Sequence, residues 1–327
     1  MTNQNGLIQY LFEVAIGRKT SRLPRSRGIA LRLFNRLALG KKGRNNYFIA
    51  EKIGPYVLKL PASHRLPWTF EKHPLYSRNL SRINSYIARA AGRPYTIIDI
   101  GANIGDSAVL LRESDRRNRI VCVEGNPEYL PLLEQNIRQL NGVDIIKTFV
   151  GSDSESKYGK LVSDGRGTTH IAESSSGSGE TINYTALKDI ISRAGITDDI
   201  RLIKIDTDGF DCQIMKGNME TIEGYKPVLF FEYAPAWFPG GRDTQKDIFD
   251  YLTQHGYGYF IFYDGVGNYL ISCAAAELGT IAGEMHFYFS CGVRFGDIAA
   301  FHKDDERLFR DTVESEKAFY QEYFKEV

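Results

Sequence analysis

The chain has 327 residues, 43% hydrophobic and 25% charged, with a formal net charge of +1. That profile fits a soluble globular protein of one large or two modest domains, and the near-zero total gives no general case for nucleic acid as a partner. No apolar run approaches the ~20 residues of a membrane span, and four cysteines without C-x-x-C spacing, Cys122, Cys212, Cys273 and Cys291, read as reduced thiols in a cytoplasmic protein.

The charge is unevenly spread. Residues 1–50 hold ten Lys and Arg against one acid, Glu13, and the remainder holds more acids than bases. The apolar residues of this arm precede the basic ones and Glu13 interrupts them, so it does not read as a secretory signal. Residues 7–16 predict a short helix, and residues 29–39 a second one. In the second, Ile29, Leu33 and Leu37 recur every four positions, as do Ala30, Phe34 and Ala38, with Arg32 and Arg36 on another face. Such a basic amphipathic segment suits an anionic membrane surface. It equally suits an arm that packs its stripe on the main domain and solvates its arginines. Residues 47–60 predict two short strands turned at Gly54-Pro55, and residues 1–72 are expected to form an extension to a domain covering 73–327.

Residues 77–91 predict a helix stopped by Gly92. Ile97, Ile98 and Ile100 then make a short apolar strand, Gly101 and Gly105 bracket a tight turn, and Ala108–Leu111 open a helix. Strand, glycine turn and helix form a nucleotide-binding turn whose backbone N–H groups face a ligand. A dinucleotide fingerprint would need glycine at positions 103 and 106, where Asn103 and Asp106 stand. The pattern is D-x-G-x-N-x-G, and its acid suits a ligand with a positive end. The second strand, residues 119–124, ends in Glu124, at the distance where an acid accepts bonds from ribose hydroxyls. Asn126 and Pro127 open the next helix. The third strand, residues 144–150, ends at Gly151-Ser152-Asp153, beside the expected adenine. Residues 154–181 read as irregular, with a serine-glycine run and a histidine, His170. A helix over 184–194 precedes the fourth strand, residues 201–205, which delivers Asp206-Thr207-Asp208-Gly209. The fifth, 227–231, ends in Glu232-Tyr233. Residues 244–255 predict a helix, 257–263 and 268–272 a hairpin around Asp264-Gly265-Val266-Gly267, 297–301 a last strand, and 304–324 a charged helix.

This order predicts an α/β fold, a doubly wound, Rossmann-like, seven-stranded, mostly parallel sheet with helices on both faces. Ile98-Asp99-Ile100-Gly101-Ala102-Asn103-Ile104-Gly105, Val123-Glu124-Gly125-Asn126-Pro127 and Leu202-Ile203-Lys204-Ile205-Asp206-Thr207-Asp208-Gly209-Phe210-Asp211 resemble the motifs of class I S-adenosylmethionine-dependent methyltransferases. More narrowly, the last block resembles the K-I-D-x-[ED]-G signature of the FkbM family, with Asp208 where that family more often has glutamate. The resemblance covers residues 73–302. It implies S-adenosylmethionine as cofactor and O-methylation of a sugar, glycan or natural product.

The expected cofactor contacts are Asp99, Gly101, Ala102, Asn103, Gly105, Glu124, Gly125, Asn126, Ser152, Asp153 and Asp206. An alcohol is a poor nucleophile at neutral pH, so a base helps. Asp206, Asp208 and His170 are the candidates, with Asp206 alternatively capping a helix or holding the methionine amine. Asp208, Glu232 and Tyr233 are expected at the acceptor. Asp206 and Glu232 could share a divalent cation, but two carboxylates are few ligands and no metal is assigned. The expected partners are a small-molecule or glycan acceptor, a membrane surface touched through the basic arm, and a second copy of the chain. The competing readings are a methyltransferase-like scaffold without chemistry, which the intact turn, Glu124 and Asp206 disfavour, and a nicotinamide dehydrogenase, which Asn103 disfavours.

Overall fold

The computed structural model describes residues 3–19, 26–39, 47–163, 169–173, 179–292 and 294–326. The arm folds as α1 (Asn3–Ala15) and α2 (Ser26–Ala38), followed by the hairpin β1 (Phe48–Ile53) and β2 (Tyr56–Pro61), which pair antiparallel. The hairpin has two apolar faces. Ile49 joins Phe12, Phe34, Ala30 and Ala38 in a cluster that also takes in Trp68. Ile53, Leu58 and Leu60 join the core on one side of the main sheet. Asn136 ties the hairpin down, accepting from Lys59 N at 2.8 Å and donating to Lys59 O at 3.0 Å and Ile104 O at 2.8 Å.

After α3 (Leu66–Lys72) and α4 (Arg78–Ala91) the main sheet begins with β3 (Thr96–Ile100), α5 (Asp106–Ser114), β4 (Arg119–Val123), α6 (Leu130–Ile137) and β5 (Val143–Ile146). The expected third strand divides at Lys147. Its last residues form β6 (Phe149–Val150), which leaves the main sheet and pairs with β9 (Glu180–Thr185). The stretch expected to be irregular holds β7 (Ser156–Ser163) and β8 (Thr169–Glu173), so β6-β9-β7-β8 make a second, four-stranded sheet. Serine and glycine mask strands there whose alternation is weak. Tyr184, expected in a helix, lies in β9, and the helix α7 (Leu187–Arg193) starts three residues later. The chain continues with β10 (Ile200–Ile205), α8 (Asp211–Gly217), α9 (Met219–Tyr225), β11 (Val228–Tyr233), α10 (Ile248–Gln254), β12 (Tyr257–Tyr263), β13 (Tyr269–Ala274), α11 (Ala275–Ser290), β14 (Gly296–His302) and α12 (Glu306–Glu326). Helix α11 escapes sequence reading because its apolar residues run all round it and Gly279 and Gly283 interrupt it.

The main sheet has eight strands, not seven, in the order β13-β12-β14-β11-β10-β3-β4-β5. β5, β4, β3, β10 and β11 run parallel, while β14 inserts antiparallel between β11 and β12. β13 is the outer half of the expected hairpin, so each of the eight strands answers to an expected segment and only the total of seven is one short. Every residue of β3 is buried, as the central strand of a sheet covered on both faces requires. Helix α12 closes the far side through Glu316, fully buried, which takes both Arg82 Nε at 2.7 Å and the Arg82 terminal nitrogen at 2.9 Å. Cys122, Cys212, Cys273 and Cys291 are all free thiols, the last exposed. No described helix is long and apolar enough to cross a membrane.

Candidate active site

The carboxyl ends of β3, β4, β10 and β11 open into two adjoining cavities. The first, of about 1030 Å³, is lined by Gly101, Asn103, Glu124, Gly125, Asn126, Tyr129, Phe149, Ser152, Tyr184 and the 206–208 turn, among others. The second, of about 1450 Å³, is lined by His64, Arg65, His73, Tyr76, Ser77, Asp106, Lys204, Glu232, Trp237, Phe295 and Asp297, among others. Gly101, Asn103, Asp206 and Asp208 line both.

The turn after β3 holds its shape through left-handed backbone at Gly101 (φ +73°), Asn103 (φ +47°) and Gly105 (φ +88°). A Cβ on Gly101 would meet the Asp206 carbonyl oxygen at 1.9 Å, so glycine there lets β3 and β10 meet at their ends. Asn103, Ser77 and Asp208 are three of the four described non-glycine residues with positive φ, and all three line the second cavity. Strain of this kind gathers at functional sites.

Glu124 sits at the end of β4 with both oxygens anchored. Asn126 N donates to Oε1 at 2.6 Å and Asn103 N to Oε2 at 2.8 Å. Burial raises its pKa against these amide bonds. Across the cavity Phe149 and Tyr184 lie 6.3 Å apart and form an apolar wall. A Cβ on Gly125 would strike the Phe149 ring, so this glycine keeps the floor flat.

Lys204 is the hub beneath both cavities. Its ammonium donates to Gly101 O at 2.9 Å and lies 3.2 Å from Asp99 Oδ1 and 3.4 Å from Asp206 Oδ2. Burial disfavours its charge, but Asp99, Asp206 and Asp106 outweigh burial and raise its pKa. Asp211, buried, accepts from Thr207 and Gly209 and so pins the 206–209 turn. Burial and then the Asp206 charge push its carboxyl well up.

On the acceptor side Glu232 of β11 and Asp297 of β14 are directly paired across strands, so their side chains share one face. Glu232 Oε2 is buried with no hydrogen-bond partner among the described residues. Burial, then Asp206, raise the Glu232 pKa well above the ordinary range. Asp297 accepts from Asn79 Nδ2 at 2.7 Å, and burial pushes its pKa up to about 7. Burial likewise pushes Asp106 up to about 6. No three described His, Cys, Asp or Glu side chains are grouped to hold a metal ion.

Of the residues singled out from sequence, Gly101, Asn103, Glu124, Gly125, Asn126, Ser152, Asp206, Asp208 and Glu232 line a cavity. The others do not. Asp99 is fully buried and accepts from Ser107 Oγ at 2.6 Å, so it braces Lys204 and α5 from beneath. Ala102 is core, and Gly105 packs against Leu133 and Ile137. Asp153 is exposed outside the lining. Tyr233 is fully buried among Phe238, Phe249 and Phe289, with its hydroxyl 2.7 Å from His286 Nδ1. Strand alternation explains this correction, since Glu232 and Tyr233 must point to opposite faces of the sheet. His170 falls in β8 opposite Val162, and its side chain lies outside the described residues. Asp297, Asp106, Tyr76, Trp237 and Phe295 also line the second cavity, although the sequence marks none of them as a site residue. Asp297 stands 65 positions after Glu232 and only β14's insertion beside β11 joins them, so no local signal marks it.

Residues 99–259 match the model of the methyltransferase FkbM domain. No curated protein matches the chain in sequence. Among solved structures, the chain is similar to the methyltransferase FkbM from Methylobacillus flagellatus, with 15% identity, 75% of this chain and 52% of that one covered, and a TM-score of 0.34. It is similar to the plantazolicin methyltransferase BpumL in complex with SAH, with 10% identity, coverage of 91% and 98%, and a TM-score of 0.38. The METTL16 methyltransferase domain aligns at 10% identity with coverage of 90% and 92% and a TM-score of 0.43.

Proposed function

We propose, from the match of residues 99–259 to the methyltransferase FkbM domain, that this protein is an S-adenosylmethionine-dependent O-methyltransferase of a hydroxyl-bearing acceptor, a sugar, glycan or natural product made in the cytoplasm. The observation that carries the reading is the meeting of two cavities at Gly101, Asn103, Asp206 and Asp208. The first cavity suits the cofactor. Glu124 keeps lone pairs free beside its two anchored amide bonds and can accept from ribose hydroxyls. Phe149 and Tyr184 supply flat apolar surface for a purine. Asp206 faces the junction, where a carboxylate stabilises a positive centre.

S-adenosylmethionine, when bound, supplies a methyl group activated by its sulfonium. The chain's own residues then have three tasks. Asp206 and Glu124 fix the donor from either end, and the strained 206–208 turn fixes the line between donor and acceptor, which can supply a large share of the acceleration. Trp237, stacked on Phe295 with centroids 5.7 Å apart, offers a flat wall to an acceptor ring. The Glu232–Asp297 pair would take the proton of the acceptor hydroxyl as the methyl carbon leaves sulfur for that oxygen, the sulfonium departing as a neutral thioether. This moves the base from Asp206, Asp208 and His170 to a cross-strand pair in which burial lifts the Asp297 carboxyl to about 7.

Calorimetry with S-adenosylhomocysteine, S-adenosylmethionine and NAD tests the cofactor. Binding of the first two and not NAD is expected. NAD binding alone would overturn the reading. Transfer of labelled methyl to a panel of free sugars and glycans then tests the acceptor class.

A further inference from the structure

The proposed chemistry leaves the outer face of α2 without a role. Three residues of one stripe are half exposed there, Ile29 at 54%, Leu33 at 43% and Leu37 at 41%. The neighbouring stripe, Ala30, Phe34 and Ala38, about 100° around the helix, is already buried against Phe12 and Trp68. The arm therefore packs on the domain and still presents a second apolar stripe to solvent. On a helix, Arg32 and Arg36 fall immediately beside Ile29 and Leu33. Both arginines are exposed and make no ion pair among the described residues. Their fate differs from that of the bases at the end of α1. Arg18 is held by Glu51 and Glu71, and Lys19 is paired with Glu13.

We infer that the outer face of α2 docks on an anionic lipid bilayer. The apolar stripe enters the interface and the flanking arginines meet lipid phosphates, the arrangement of a helix lying in the membrane plane. Charge complementarity commits the surface to lipid of negative charge. Residues 1–50 carry ten bases and one acid, while the rest of the chain carries 31 bases and 39 acids. The molecule is thus polarised, and an anionic surface orients the arm toward itself while repelling the remainder. The arm also sits beside the acceptor cavity. Trp68 of α3 packs on Phe12 at 4.9 Å and Phe34 at 5.7 Å, while Leu66 and Thr69 of the same helix line that cavity.

The test is sedimentation of the full chain with vesicles of phosphatidylcholine alone or of equal parts phosphatidylcholine and phosphatidylglycerol. It needs neither donor nor acceptor, so it stands apart from the methyltransferase reading. Pelleting with the anionic vesicles only, weakened by added salt, is expected. At ~1 kcal/mol per base, Arg32→Gln with Arg36→Gln should weaken the partition roughly 25-fold, and Arg32→Lys with Arg36→Lys should restore it. Leu33→Gln with Leu37→Gln should weaken it at least about tenfold. These positions are exposed, and an unchanged melting transition shows that the variants fold. A wild-type chain that ignores anionic vesicles, or pellets equally with neutral ones, overturns the proposal. So does a double-glutamine arginine variant that pellets like the wild type.

Discussion

Asp297 shows how far one side chain's behaviour depends on what faces it. An ordinary aspartate is ionised throughout the neutral range. Burial lifts this one to about 7, against a hydrogen bond from Asn79. As the proposed base it must be unprotonated, so the rate should rise as pH passes upward through about 7. Asp297→Asn should lower kcat by ~10²–10⁴ with cofactor affinity kept, and the remaining rate should lose that rise. Rate against pH for both proteins checks this, and an unchanged profile returns the role to Asp206 or Asp208. Glu124 makes the complementary prediction. Its loss should weaken S-adenosylhomocysteine binding by ~1.5–3 kcal/mol for each charge-assisted bond removed. Because its oxygens also anchor Asn103 N and Asn126 N, Glu124→Gln should recover part of that affinity. Calorimetry on the two variants separates ligand contact from loop anchoring.

At the level of elements, the glycine turn is held by its neighbour strand as much as by any ligand. Gly101→Ala places a Cβ 1.9 Å from the Asp206 carbonyl oxygen at φ +73°, so the ends of β3 and β10 must separate. Gly92 also has positive φ, but nothing lies within 4 Å of its added Cβ. Gly92→Ala should therefore cost about 1 kcal/mol, near the ordinary backbone preference. Gly101→Ala should cost several times more and abolish cofactor binding. Urea titration of both variants measures the difference, and equal losses would show that the β3–β10 junction yields. The helices were read less evenly than the strands. α4 is amphipathic and stopped by Gly92, so its pattern is local. α11 shows no stripe because apolar residues occupy all its faces, so the buried pair Leu278 and Phe289, which share one face, does not stand out in the sequence.

For the whole molecule, the carboxyls gathered at the strand ends give stability a predictable pH dependence. Asp106 and Asp297, up at about 6 and about 7, and Glu232 and Asp211, also raised, bind protons in the folded state that the unfolded chain releases near pH ~4. The folded state holds more protons, so stability falls as pH rises from ~4 to ~7. Acidic groups lowered by pairing, such as Asp115 beside Arg117 and Glu13 beside Lys19, pull the other way, but exposed pairs contribute little. Denaturation at pH 5 and pH 8 should show lower stability at the higher value. Asp297→Asn should reduce that drop, and no drop would mean that these carboxyls ionise freely.

The sequence by itself determined the parallel strands β3, β4, β5, β10 and β11 of the main sheet, the glycine turn, Glu124 after β4 and the acids after β10. Each rests on a local pattern: an apolar run, a glycine that permits positive φ, or a polar residue at a strand's carboxyl end. It also showed the basic, doubly striped arm, whose periodicity is local too. Only the tertiary structure decided which stripe of α2 is buried, because both have the same spacing and Trp68 chooses between them. Only the tertiary structure brought Asp297 to Glu232, because β14 enters the sheet between strands that precede it in sequence. It turned Tyr233 into the core and Asp99 onto Lys204, because strand alternation assigns each side chain a face and packing decides which face is solvent.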